Sequence, residues 1–68
     1  MTIAKALDTF CHPNDRRRDL YLRWSAARGI DADELYDILA AIDCGIVPPA
    51  TFTDLDHLAD ILGIRRRA

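Results

Sequence analysis

A chain of 68 residues, half of them hydrophobic and carrying a formal net charge of −2, fits one small domain. It can bury only about 60% of the surface its unfolded form exposes, so its stability is expected to be marginal. No apolar run approaches the roughly 18 residues of a membrane span, and no signal-peptide core follows the lone lysine, so the reading is a cytoplasmic chain without a membrane segment.

Ile3, Ala6, Leu7 and Phe10 repeat at i, i+3, i+4, i+7 behind Thr2, which predicts a first helix from about Ile3 to Cys11. Pro13 ends it by pushing His12 out of helical geometry. Asn14 or Asp15 caps a second helix running to about Arg28, with Leu20, Trp24 and Ala27 facing inward, an Asp19–Arg23 pair in support, and Gly29 as its stop.

The third helix, between Ile30 and Gly45, carries the fullest set of signals. Asp31 stands at the N-cap, with Glu34 three residues on to complete a capping box. Ile30 and Leu35 are placed to form a hydrophobic staple, and Leu35, Ile38, Leu39 and Ile42 make one apolar stripe. Asp33 and Asp37 fall on the opposite side, and Gly45 can take the left-handed conformation that stops a helix. The short connection through Gly29 and Ile30 predicts that helices two and three pack as neighbours.

The segment Ile46-Val47-Pro48-Pro49-Ala50 reads as a stiff, non-helical connector. Thr51 or Thr53 then caps a last helix to about Leu62, with Leu55, Leu58, Ala59 and Leu62 on one face and Gly63 as its stop. With no strand-like alternation and no repeat, the predicted fold class is all-α: residues 1–68 as a single small bundle or orthogonal array of about four short helices.

Charge is distributed unevenly, because residues 1–30 hold six bases against three acids whereas residues 31–64 hold eight acids and no base. Six of the arginines form two triplets, Arg16, Arg17, Arg18 and Arg65, Arg66, Arg67. Arginine clusters of this kind grip phosphates, and Tyr21 and Trp24 lie close enough in sequence to the first triplet to stack on bases. The stretch from His57 to Ile64 resembles the first helix and turn of a helix-turn-helix, over eight residues. Only four residues follow it, too few for a recognition helix. The acidic half also opposes a polyanion, which leaves nucleic-acid binding through the two triplets as the secondary reading.

Cys11, His12, Cys44 and His57 would suffice for a tetrahedral zinc but lack the paired short spacings of such sites, and no metal or other cofactor is expected. Two cysteines are too few for a disulfide scaffold, so both are read as reduced, partly buried hydrophobes, with a Cys11–Cys44 bridge as the alternative. No phosphate loop or nucleophile elbow is present, and so short a chain has little room for a small-molecule pocket of roughly 300 Å³, so the chain is read as not an enzyme.

Protein recognition remains. Leu22 projects opposite Leu20 and Trp24, Tyr36 borders the core stripe of the third helix, and Asp33 and Asp37 supply an acidic rim suited to a basic partner surface. The expected role is that of an inhibitor, adaptor or regulatory subunit that also forms a homodimer. Usage rich in arginine, alanine and aspartate with a single lysine points to a high-GC bacterial or phage source.

Overall fold

Four helices form because each starts on a side chain that accepts one of its own orphan N–H groups. In the computed structural model, which describes residues 1–45 and 48–67, these are α1 (Ile3–Phe10), α2 (Arg16–Arg28), α3 (Ala32–Asp43) and α4 (Phe52–Ile61). Thr2 Oγ1 accepts from the Lys5 N–H at 3.1 Å, Asp15 Oδ1 from Arg17 at 2.9 Å, Asp31 Oδ1 from Glu34 at 2.8 Å and Thr51 Oγ1 from Asp54 at 3.2 Å. The capping box of α3 is complete, since the Asp31 N–H donates back to Glu34 Oε1 at 3.1 Å.

Two of the helix ends are closed by glycines in the left-handed region. Gly29 (φ 65°) lets the Ile30 N–H reach back to the Ser25 carbonyl at 2.9 Å. Gly63 (φ 73°) does the same for Ile64, whose N–H donates to Ala59 at 2.8 Å. Both closures turn the following isoleucine toward the interior, and Ile30 ends up buried in the core.

The fold class is all-α, with no strand among the described residues. The buried residues form one cluster with members on all four helices, filled chiefly by Leu7, Trp24, Leu35, Ile38 and Leu55. The Cα radius of gyration, 10.6 Å, is close to the value of about 11 Å that a compact chain of this length should have. No helix among the described residues is long and apolar enough to cross a membrane.

The structure departs from expectation in five places. Although α2 and α3 are joined by the shortest connection, the principal partner of α3 is α1, and α2 packs on α1 and α4 instead. The inward face of α2 is rotated from the one its aliphatic residues indicate: Tyr21, Trp24 and Ser25 are buried, Leu20 is only half-buried and Ala27 is exposed. Tyr21, Trp24, Ser25 and Arg28 repeat at i, i+3, i+4, i+7, so this face is itself a regular helical stripe. Burial of its polar members is tolerated because the Ser25 hydroxyl donates to the Leu22 carbonyl at 2.9 Å and Arg28 pairs with Asp56.

Leu62, expected in the core, caps α4 rather than continuing it and is 40% exposed. Tyr21 is buried and so is withdrawn from base stacking, as is Trp24. Cys11 and Cys44 are free thiols, but only Cys11 is buried, whereas Cys44 is exposed at the end of α3. Of the proline connector, Pro49 is buried and Pro48 and Ala50 are exposed without regular structure, while Ile46 and Val47 lie outside the described residues.

Candidate functional site

On α3, Asp33, Tyr36 and Asp37 stand at i, i+3, i+4 and therefore meet as neighbours on one arc of the helix. Both aspartates are exposed, and Tyr36 is half-buried, its ring edge-on to Phe10 with centroids 4.9 Å apart. Phe10 thus holds Tyr36 at the boundary between core and surface. Leu22, the fourth residue expected here, is 47% exposed but belongs to α2. The other large apolar side chains left in solvent are Met1, Ile61 and Leu62, and none of these was signalled by helical spacing as a surface residue.

Most of the arginines are consumed by the fold. Arg18 reaches Asp8 on α1 at 2.7 Å, leaving its Nη1 buried without a partner, and Arg23 pairs with Asp19 at 2.8 Å. Arg28 grips Asp56 with Nε on Oδ1 at 3.0 Å and Nη2 on Oδ2 at 3.3 Å, while the Trp24 indole N–H donates to the same Oδ1 at 2.9 Å. These donors, the Arg28 guanidinium foremost and the Trp24 indole next, hold the Asp56 carboxyl below the usual aspartate range.

The second arginine triplet is largely engaged as well. Arg66 Nη1 donates to the Asp56 carbonyl at 2.7 Å and to Asp60 Oδ1 at 2.8 Å. Arg67 donates its backbone N–H to the Arg28 carbonyl at 2.8 Å and its guanidinium to the Gly29 carbonyl at 2.9 Å. The same guanidinium pairs with both carboxylate oxygens of Glu34, which depresses the Glu34 pKa and raises that of Arg67. The last arginines therefore strap the α2–α3 junction to α4, and only Arg65 of that triplet has no ion pair among the described residues.

In the first triplet Arg16 and Arg17 are exposed and likewise have no ion pair among the described residues. With Arg23, Leu20, Pro49 and Ala50 they line a wide, open hollow of about 320 Å³. A concavity of that size was not expected in so short a chain, but its lining carries no nucleophile or general base. A second, smaller hollow of about 90 Å³ lies where α1, α2 and α3 converge, beside Cys11, Arg17, Tyr21 and Asp43. Burial, reinforced by the Asp15 carboxylate, pushes the Cys11 thiol up, so it is held as an unreactive thiol.

The soft ligands are dispersed. His12 Nδ1 accepts the Asn14 N–H at 3.2 Å in an exposed turn, and His57 is exposed on α4. Among the described residues no three His, Cys, Asp or Glu side chains come together as a metal site. No protein-family model, curated protein or solved structure matches the chain.

Proposed function

We propose that the chain is a cytoplasmic protein-binding module that acts by occupancy rather than catalysis, as an inhibitor, adaptor or regulatory subunit. The observation that carries this reading is the outer arc of α3. Once caps and ion pairs are assigned, Asp33, Asp37 and Asp43 are the acids without a hydrogen-bond or ion-pair partner among the described residues, and two of them flank Tyr36. Carboxylates left over in this way steer encounter with a basic partner surface, while a half-exposed tyrosine provides the anchoring area. Leu22 gives α2 an apolar contact of its own, and we assign it to self-association in a homodimer.

Nucleic-acid regulation is the second reading, favoured by the free guanidiniums of Arg16 and Arg17. It gains little from Arg66 and Arg67, which already have protein partners. Affinity capture of the tagged chain from a lysate of its source, with and without nuclease, separates the two. A stoichiometric protein that survives nuclease and is lost with Asp33→Lys/Asp37→Lys is the expected result. Bound material that vanishes with nuclease and is also lost with Arg16→Glu/Arg17→Glu would reverse the order of the readings.

A further inference from the structure

The groove between α2 and the Pro49–Ala50 segment carries charge of opposite sign to the outer arc of α3. Its lining on α2 runs from Arg16 to Arg23, in the N-terminal part of the helix and away from the Gly29 turn that leads into α3. Like Lys5 and Arg65, its three arginines have no ion pair to another element among the described residues, which sets them apart from the other four arginines. Arg18, Arg28, Arg66 and Arg67 are tied to other elements, whereas Arg16 and Arg17 have no ion pair among the described residues and Arg23 meets only Asp19, one turn back on its own helix. Arginine at the first positions of a helix opposes the macrodipole, so the folded chain gains nothing from this placement.

We propose that this groove binds an acidic peptide segment of a partner protein, one that presents carboxylates on either side of an apolar side chain. Arg16 and Arg17 would take the carboxylates in the bidentate manner that guanidinium planarity allows, and the apolar side chain would rest on Leu20 and Pro49. The shape and surroundings favour a peptide over a nucleic acid. No aromatic ring lines the groove, so bases have nothing to stack on. The positive patch is also short, bounded by the carboxylates of Asp15 and Asp19 on the same helix and of Asp43 beside Arg17 in the neighbouring hollow. An extended polyanion would run from the arginines straight into these acids, whereas a segment with two or three carboxylates would not. The inference deepens the reading of the chain as a protein-binding module, but it uses a different surface from α3, so either can fail alone.

The test uses the full chain and a fluorescein-labelled peptide in which glutamate and aspartate flank a central leucine, followed by fluorescence anisotropy. The same peptide with its acids replaced by glutamine and asparagine, and a labelled oligothymidylate, serve as competing probes. Saturable binding of the acidic peptide is expected, weakened at least tenfold by Arg16→Glu/Arg17→Glu and by the milder Arg16→Gln/Arg17→Gln. Lys5→Glu/Arg65→Glu, which changes net charge by the same amount away from the groove, should leave it within twofold, as should Asp33→Lys/Asp37→Lys. Circular dichroism of each variant checks that the helices persist. The proposal is overturned by absent binding, by equal binding of the amide peptide, by an equal loss in Lys5→Glu/Arg65→Glu, or by tighter binding of the oligothymidylate. It is also overturned if light scattering shows a dimer that Arg16→Glu/Arg17→Glu converts to monomer, because the groove's occupant would then be a second copy of the chain.

Discussion

At the scale of single residues, Asp56 does more than any other surface carboxylate, because it joins a core indole to a cation and lies under the C-terminal strap. Its side chain is 28% exposed, so solvent screens the pair and the full energy of a buried bridge does not apply. Asp56→Ala leaves the Trp24 indole N–H without its acceptor and should cost about 1–3 kcal/mol in urea denaturation at neutral pH. Asp56→Asn keeps an acceptor and should cost about 1 kcal/mol, the loss of charge assistance. Because the folded-state pKa of Asp56 is depressed, its contribution is complete above the ordinary aspartate value of about 3.9 and is lost as pH falls through the lower folded value. Asp56→Asn should therefore lose less stability than the parent between neutral pH and pH 3. Equal losses would show that the carboxylate is not linked to folding. The two cysteines give a second check on the interior. Exposed Cys44 should react with a thiol reagent at once, and buried Cys11 only as fast as the chain opens, so two fast thiols would contradict the burial of α1 against its neighbours.

Elements were legible wherever local chemistry decides them. Thr2, Asp15, Asp31 and Thr51 all cap as their positions suggest, and Gly29 and Gly63 stop helices by taking a positive φ that returns the next N–H to the preceding turn. The cap of α3 is the one to test, since both halves of its box are made. Asp31→Ala removes the acceptor for Glu34 and should cost about 1 kcal/mol, with a fall in helicity rather than a change in fold. A loss well below this would mean that tertiary packing of Leu35, Ile38 and Leu39 alone defines the helix start. What was not legible depends on partners far away in sequence. The buried face of α2 could not be read from its aliphatic residues, because Tyr21, Trp24 and Ser25 are buried there, with Leu22 accepting from the serine and Asp56 from the indole. The end of α4 at Gly63 was legible, but the exposure of Leu62 was not: its spacing sets it on the apolar face, whereas at the cap position it is 40% exposed. On the candidate surface, helical spacing set Asp33 and Asp37 away from the core and Tyr36 at its edge, in line with their exposure, but it gave no sign that Arg66 and Arg67 are used up internally while Arg16 and Arg17 have no ion pair among the described residues.

For the molecule as a whole, the charge imbalance between the two halves of the sequence is only partly cancelled by folding. Arg28 crosses to Asp56, and the strap returns Arg66 and Arg67 to Asp60 and Glu34, yet an arginine groove and an acidic arc remain on different parts of the surface. The apolar balance is similar. Among the described residues twelve hydrophobic side chains make the core, and Leu22, Ile61 and Leu62 stay at least 40% exposed on a molecule measuring 27 × 24 × 18 Å. A chain this short gains more from covering such side chains than a larger one would, which motivates the homodimer we assign to it. Covering them also links stability to concentration: a native dimer that unfolds to monomers gains about 1.4 kcal/mol for each tenfold rise in protein concentration. The urea midpoint should thus rise with concentration, and light scattering should give twice the 7.7 kDa chain mass. Leu22→Glu should return that mass to 7.7 kDa without loss of helicity, because the side chain faces away from the core. A mass of 7.7 kDa at every concentration, with a fixed urea midpoint, would leave Leu22, Ile61 and Leu62 to a partner of another sequence.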